Sequence, residues 1–137
     1  MPSLITSYQT ERSLRQLLEM KGYKLSPPLP SGYTGCDIVA QKGSQSIYIE
    51  VIGYKSSGPA RARDFFQSFF RAISRIKDGA NYCVIAMPSL AKRGLFLRAH
   101  HYGQAWCRIS AAFPELEIWL IDVDELSYEK TSWNSWY

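Results

Sequence analysis

The amino-acid sequence predicts a mixed α/β fold, in which one β-sheet holds both antiparallel and parallel strands. Three observations carry this prediction: a tight hairpin in the first half of the chain, two apolar strands in the second half, and helices that separate them. Strands joined by a tight loop pair antiparallel, whereas strands joined through a helix pair in parallel. With a further short strand around residues 23–26, the elements follow the order αβββαβαβ.

The first helix is predicted over residues 6–20. Ser7 is its expected N-cap, Gly22 is a natural residue to follow its end, and apolar side chains recur at helical spacing at Leu14, Leu17 and Leu18. Residues 25–32 are too rich in proline and glycine for regular structure, so a loop is predicted there.

The hairpin is predicted from Gly43 and Ser44, which suit a two-residue type II′ loop with glycine at its first central position. Such a loop fixes the register, because residues equidistant from it lie opposite one another. One face of the hairpin is then wholly apolar, as packing on a core requires. The other face pairs Val39 with Tyr48 and places Asp37 opposite Glu50.

A second helix is predicted over residues 63–77, after a loop at 55–61. Its apolar stripe is expected to comprise Phe66, Phe69, Phe70, Ile73 and Ile76. A buried strand at 82–87, a third helix at 97–113 and a last strand at 117–123 complete the predicted sheet.

The chain is long enough for one domain, predicted to span residues 1–137 with an aromatic tail from about residue 127. The tail holds Trp133 and Trp136, which are costly to leave in water. They are therefore expected to cover an exposed sheet edge or to contact a partner chain, such as the second subunit of a homodimer.

The charge is +4, from 16 Lys and Arg against 12 Asp and Glu. This excess favours a polyanionic partner, although an ordinary soluble protein can also be basic. The three cysteines form no C-x-x-C pair, which argues against a zinc site or a disulfide framework. We see no secretory signal and no apolar run of membrane-spanning length, so the expected location is the cytoplasm.

Asp37 and Glu50 are the predicted chemical centre of the chain. Opposed side chains on a hairpin have Cβ atoms about 5 Å apart, and like charges at that distance repel each other. A divalent cation would turn this repulsion into binding. The alternative is structural: an acid capping the start of a strand, and a carboxylate paired with an arginine.

The segment Gly-Cys-Asp37, the tight hairpin and Ile-Glu50-Val-Ile, set between two helices, resemble the restriction-endonuclease-like superfamily. The motif of that superfamily, PD-(D/E)xK, is Asp, a gap, then Glu or Asp, any residue and Lys. The likeness extends over residues 6–87, and the group of Mrr-type restriction enzymes and Holliday-junction resolvases is the most similar. A restriction-endonuclease-like core is therefore the expected form of the α/β fold.

The resemblance implies that Asp37 and Glu50 hold Mg²⁺ or Mn²⁺ together with the carbonyl oxygen of Val51. It also implies that Glu11 on the first helix supports the metal. An exposed acid favoured by the helix dipole is an equally good interpretation of Glu11.

The sequence departs from the motif at Ile52, which stands where the family has its lysine. An isoleucine cannot orient a water molecule or stabilise a pentavalent phosphate. Lys55 is one candidate replacement, because a bulge at Gly53 could re-aim it. The second helix offers two others, Arg71 and Arg75.

Polar side chains recur every four residues along the second helix, at Arg63, Gln67, Arg71 and Arg75. A glutamine in this place resembles one that points towards the carboxylates in related nucleases, which makes Gln67 a candidate catalytic residue. An ordinary solvated face is the alternative, but three arginines of four favour phosphate contact. The predicted nucleic-acid contacts are Arg61, Arg63, Arg71, Arg75, Lys92 and Arg93.

These features predict a Mg²⁺- or Mn²⁺-dependent hydrolase of DNA phosphodiesters, with RNA left open as a substrate. A non-catalytic module of the same fold, which binds nucleic acid or assembles with partner proteins, is the alternative. A structural subunit that dimerises through its aromatic tail is a third interpretation.

Overall fold

The computed structural model describes residues 3–30 and 35–137. Within these ranges the chain forms four α-helices: α1 (Ser7–Met20), α2 (Gly58–Ser74), α3 (Lys92–Tyr102) and α4 (Gln104–Ala112). The strands are β1 (Ser3–Ile5), β2 (Lys24–Leu25), β3 (Ile38–Lys42), β4 (Gln45–Val51), β5 (Tyr54–Lys55), β6 (Tyr82–Pro88), β7 (Leu116–Asp122) and β8 (Ser127–Ser132). Three short 3₁₀ segments lie at Arg75–Asp78, Ser89–Ala91 and Trp133–Trp136.

Six strands form a mixed sheet in the order β2-β3-β4-β6-β7-β8. The pairs β4–β6 and β6–β7 are parallel, and the other pairs in this sheet are antiparallel. β6 is buried on both faces, as expected of a strand between two parallel neighbours that are reached through helices. The predicted mixed sheet is therefore confirmed, including the short strand near residue 24.

The hairpin of β3 and β4 has the predicted register. Val39 lies opposite Tyr48 and Ile38 opposite Ile49, and the loop consists of the two residues Gly43 and Ser44. Gly43 has a φ of 61°, a conformation that its position in such a loop requires and that other residues adopt at a cost.

The sheet separates two hydrophobic clusters. Leu14 and Leu18 of α1 pack on the apolar face of the hairpin. On the opposite face, side chains of α2, α3, α4 and the 3₁₀ segment Trp133–Trp136 cover β6 and β7. Within the described parts of the chain, no helix is long and apolar enough to cross a membrane.

Both of the first two helices begin elsewhere than predicted. The N-cap of α1 is Thr6 rather than Ser7, because the Thr6 hydroxyl accepts a hydrogen bond from the Gln9 N–H while the Gln9 side chain accepts one from the Thr6 N–H. α2 begins at Gly58 because the Ser57 side chain caps it and a proline suits its first turn. The predicted loop at 55–61 is therefore wrong over its second half, and that at 25–32 lies partly outside the described residues.

The predicted apolar stripe of α2 is correct at Phe69 and Ile73, which pack against the core, but wrong at Phe66, Phe70 and Ile76, which are exposed. Phe65 is 2% exposed, whereas Phe70 is 68% exposed and Phe66 is 39% exposed. Phe65 stacks on Trp106 and Trp133, and the small residues Ser68 and Ala72 continue the buried face. The two tryptophans that select this face lie far away in the sequence, so the periodicity of α2 alone could not identify it.

The helix predicted at 97–113 is two helices. It starts five positions earlier than predicted, at Lys92, and Gly103 interrupts it with φ 54° and ψ −117°. Glycine tolerates this left-handed value, so the chain can change direction there. Cys36 precedes β3, and its Sγ donates to the carbonyl oxygen of Ile38.

The aromatic tail is part of the core. Residues 127–132 form β8, which pairs with β7 and so covers the sheet edge, as one of the two predicted roles required. Trp133 and Trp136 are buried. The indole N–H of Trp133 donates to the carbonyl oxygen of Trp106, and the indole N–H of Trp106 donates to that of Trp133, each at 2.9 Å.

Candidate functional site

A cavity of about 200 Å³ opens where the hairpin strands end, between β4 and α2. Both predicted carboxylates line it, as do three of the predicted catalytic and nucleic-acid-binding residues. Its lining comprises Ser7, Asp37, Glu50, Val51, Ile52, Gly53, Lys55, Asp64, Gln67, Ser68 and Arg71. The fold thus collects residues from four separate segments of the sequence at one point.

Asp37 lies just before β3, beyond the last ladder pair of the hairpin. Its Oδ2 accepts a hydrogen bond of 2.8 Å from the N–H of Val51, which fixes the carboxylate beside the end of β4. Glu50 extends from β4 and is 2% exposed. The two acids therefore meet at the cavity as the hairpin register predicts, one at its rim and one in its wall.

Glu50 is held by an arginine. The Nε of Arg75 donates to Oε2 of Glu50 at 3.2 Å, and the same guanidinium contacts Asp78 at 3.5 Å. Burial raises the pKa of the Glu50 carboxyl above its ordinary value, and the negative charge of Asp37 raises it further, against the opposing effect of Arg75. The site therefore carries a carboxylate whose negative charge is incompletely compensated.

This donor set fits a hard divalent cation. Magnesium is commonly held by one or two carboxylates and keeps waters or substrate oxygens as its remaining ligands. Within residues 3–30 and 35–137, no group of three or more His, Cys, Asp and Glu is arranged to hold a metal. An ion at Asp37 and Glu50 would therefore depend on water and substrate to complete its coordination.

The side chain of Ile52 does not take the place of the motif lysine. It packs against the hydrophobic cluster under α2, and its N–H donates to Ala86 on β6 at 2.9 Å. Lys55 instead enters the cavity, with its Nζ 3.0 Å from Oδ1 of Asp64. Lys55 lies on β5, which pairs with β1, and the register irregularity of this pair falls between Ser3 and Ile5 of β1 rather than at Gly53.

Gly53 makes this path possible. A Cβ at this position would lie 2.7 Å from the N of Ser7 and against the carbonyl oxygen of Ile5. Only a glycine lets the strand leave β4 so close to the start of α1, and Lys55 follows two residues later.

Glu11 does not line the cavity. Its Oε2 accepts from the Nε of Arg15 at 2.8 Å, and Arg15 in turn donates to the carbonyl oxygens of Asp37 and Ser26. Glu11 therefore orients the arginine that ties the Asp37 segment to α1. The sequence carried one signal of this role, since Glu11 and Arg15 are four residues apart on a helix.

The predicted nucleic-acid contacts are scattered. Arg71 lines the cavity, Arg75 is engaged with Glu50, and Arg63 and Arg93 are exposed on α2 and α3. Lys92 pairs with Glu129 at 3.3 Å. Arg61 donates to the carbonyl oxygen of Lys55 and stacks on Tyr54, in a second crevice beside the cavity.

Sequence reasoning missed two residues of this region. Asp64 holds Lys55, and Arg15 holds Asp37. Each contact joins two different elements of the fold, so no local spacing marks it.

No protein-family model matches the chain, and no curated protein matches it by sequence. Among solved structures, it is similar to a fdxN element excision controlling factor protein from Anabaena variabilis, with a TM-score of 0.63 and 16% identity, covering 91% of this chain and 98% of that one. It is also similar to an XisH family protein from Nostoc punctiforme, with a TM-score of 0.60 and 15% identity, covering 90% of this chain and 98% of that one.

At these identities the likeness shows the fold alone. The predicted fold class is confirmed: the described chain is a mixed α/β structure, and its similarity to both solved structures runs over most of its length.

Proposed function

We propose that the protein is a Mg²⁺- or Mn²⁺-dependent phosphodiesterase that acts on DNA, with RNA as the alternative substrate. The observation that carries this proposal is the cavity in which Asp37 and Glu50 meet Lys55, Gln67 and Arg71. Two acids that repel each other suit a cation, and the basic side chains beside them suit a phosphate.

Asp37 and Glu50 would hold the metal, with the carbonyl oxygen of Val51 as a further ligand. A divalent cation in such a site lowers the pKa of a water molecule and neutralises charge on the phosphate during in-line displacement. The Val51 N–H keeps Asp37 in place for this role, and Arg15 holds the backbone of Asp37 from the other side.

Lys55 would take the task of the absent motif lysine. Its ammonium group is held by Asp64, which also lines the cavity. Gln67 would orient the attacking water by hydrogen bonding, and Arg71 would bind the phosphate from the exposed side of α2. Each of these groups acts by position and charge rather than by covalent chemistry.

One structural neighbour is named as a controlling factor of element excision. We propose a similar role in excision for this chain, which is compatible with a DNA substrate. The basic character of the chain supports a polyanionic partner in the same way.

The test is cleavage of supercoiled plasmid in Mg²⁺ or Mn²⁺ by the full chain. Asp37→Asn and Glu50→Gln remove one charge each with little change in shape, and Glu125→Gln is a matched control on an exposed residue outside the cavity. We expect cleavage by the parent and the control, and none by the two cavity variants. Equal cleavage by all four proteins would refute the proposed site.

Ile52 favours a second candidate function, in which the fold binds nucleic acid without cutting it. In this case Lys55 serves only as the partner of Asp64. Retardation of DNA in the presence of Mg²⁺ and Mn²⁺, with no cleavage by the parent chain, would select this function. Gain of cleavage in Ile52→Lys would then show that the missing lysine is the cause.

A further inference from the structure

A second crevice adjoins the cavity and shares Ile52 and Gly53 with it. Because these two residues line both, the cavity and the crevice lie side by side. A polymer bound in the cavity can therefore extend past Ile52 and Gly53 into the crevice. The crevice carries two arginines from different helices, Arg61 of α2 and Arg98 of α3.

Neither arginine has an acidic partner within the described parts of the chain. The ion pairs there involve Arg15, Arg75, Lys55 and Lys92, and leave Arg61 and Arg98 out. Arg98 is half-buried. Burial lowers the pKa of its guanidinium, and the charge of Arg61 lowers it further, against an opposite effect of Tyr102. Two like charges thus share a confined space with no anion between them, which is costly without a ligand.

Aromatic rings hold both guanidiniums in place. The guanidinium carbon of Arg61 lies 4.7 Å from the centre of the Tyr54 ring, and Arg61 also donates to the carbonyl oxygen of Lys55 at 2.8 Å. The guanidinium carbon of Arg98 lies 4.7 Å from the centre of the Phe65 ring. Stacking stabilises a planar cation but uses none of its N–H donors. Those of Arg98, and those of Arg61 that are not bonded to Lys55, therefore remain available for an oxyanion.

We infer that the crevice of Arg61 and Arg98 binds a backbone phosphate of the nucleic acid, next to the phosphodiester held in the cavity. The identity of this ligand rests on the proposed function, whereas the anion site itself rests on the crevice. A backbone phosphate fits because arginine forks bind phosphate oxygens in pairs and the crevice continues the cavity. The pair would set the register of the strand across the carboxylates.

Gly94 provides a sharp test. It lines the crevice four residues before Arg98 on α3, and a Cβ there would meet no atom within 4 Å. Gly94→Asp places a carboxylate where the phosphate is inferred to sit, whereas Gly94→Ala makes the same backbone change without the charge. Lys77→Gln, on an exposed residue outside the crevice, matches the change in net charge.

The measurement is anisotropy of a fluorescein-labelled DNA duplex in EDTA, so that cleavage plays no part. We expect Gly94→Asp to bind the duplex about tenfold more weakly than the parent, as for loss of a charged hydrogen bond. The slope of the logarithm of the binding constant against the logarithm of the salt concentration should become shallower by about one, as for loss of one phosphate contact. Gly94→Ala and Lys77→Gln should bind nearly as the parent does. Thermal unfolding should show both Gly94 variants to be at least as stable as the parent, because glycine is a poor helix former.

Equal binding by Gly94→Asp and Lys77→Gln would overturn the inference. Arg61→Gln provides a second variant and should also weaken binding, whereas parental affinity would count against the site. If inorganic phosphate quenches tryptophan emission in the parent alone while DNA binding is the same in every variant, the crevice holds a free anion and the backbone assignment is wrong. Because EDTA prevents cleavage, these results are independent of whether Asp37 and Glu50 are catalytic.

Discussion

The cavity and the crevice adjoin each other but balance their charges in opposite ways. In the cavity, Lys55 faces Asp64, and Asp37 and Glu50 lie close enough to repel each other. The crevice holds Arg61 and Arg98, and no acidic residue is among the described residues that line it. We therefore propose a cation in the cavity and an anion in the crevice, which is the pairing that a metal ion and a nucleic-acid backbone would supply.

Basic residues of the cavity and the crevice also differ in whether they are available to a ligand or stabilise the fold. Arg75 forms ion pairs with both Glu50 and Asp78, so its positive charge is balanced by acidic groups of the protein itself. Among the described residues, Arg98 has no such partner. A basic residue held by two internal acids is a poor candidate for ligand contact, although the spacing along α2 ranks Arg75 with Arg71.

The largest expected effect comes from breaking the acidic side of the comparison. Asp37→Asn and Glu50→Gln should each lower kcat/KM for DNA cleavage by at least about 100-fold. Loss of a group that only supports a metal ligand costs up to about 100-fold, and loss of a ligand itself should cost at least as much. The double variant should be scarcely worse, because both acids serve one ion. Single-turnover cleavage rates measure this, and a simple product of the two losses would contradict a shared ion.

Replacement of the cavity lysine should have the next largest effect. Lys55→Gln is expected to lower kcat by about tenfold or more with little change in KM, because a charge that acts on the transition state is lost. Arg71→Gln, which changes an exposed side chain of the same cavity, should act mainly on KM. Steady-state kinetics with labelled DNA separate the two, and an unchanged kcat in Lys55→Gln would remove Lys55 from the mechanism.

Adding a methyl group to the shared wall should destabilise the fold. Gly53→Ala brings a Cβ against the backbone at Ser7, and overpacking of this kind costs about 1–3 kcal/mol. Gly58→Ala is the control, since its Cβ would meet only the end of the Arg61 side chain. Urea denaturation monitored by tryptophan fluorescence gives both values, and equal stability would show that the chain relaxes freely at Gly53.

The smallest expected effect is on stability as a function of pH. Because the pKa of Glu50 is raised on folding, the folded chain binds more protons than the unfolded one just above the ordinary pKa of glutamate. Glu50 therefore reduces stability increasingly as the pH rises through that window. Glu50→Gln should stabilise the metal-free protein at neutral pH and lose this advantage on acidification.

Urea denaturation in EDTA from about pH 4 to about pH 8 measures this difference. Glu125→Gln is the control and should show no such pH dependence, because its side chain is exposed. A Glu50→Gln variant that is less stable than the parent at every pH would mean that the Arg75 ion pair outweighs the burial of Glu50.

The parts of the site that the sequence predicted are those determined by local chemistry. Gly43 and Ser44 specify the hairpin loop, the loop specifies the register, and the register brings Asp37 to Glu50. Asp64 and Arg15 depend instead on contacts between different elements of the fold. The strand that carries Lys55 is two residues long and pairs with β1, so it offers no periodicity to detect.

The fold shows the same division. Mixed sheet topology follows from element order, whereas the buried face of α2 depends on Trp106 and Trp133 and was placed wrongly. The two-helix division at Gly103 was missed because one glycine in a helical pattern is compatible with an unbroken helix. Fold class is thus robust to errors in the placement of single faces and boundaries.

The reciprocal hydrogen bonds between Trp106 and Trp133 have a consequence for synthesis of the chain. Phe65, at the centre of the helical layer, packs on both indoles, so that layer stays incomplete until translation has passed Trp133. A ribosome-bound chain that stops at β7 would still expose Phe65 and Trp106. The helical layer should therefore acquire its final packing only after Trp133 has left the ribosome.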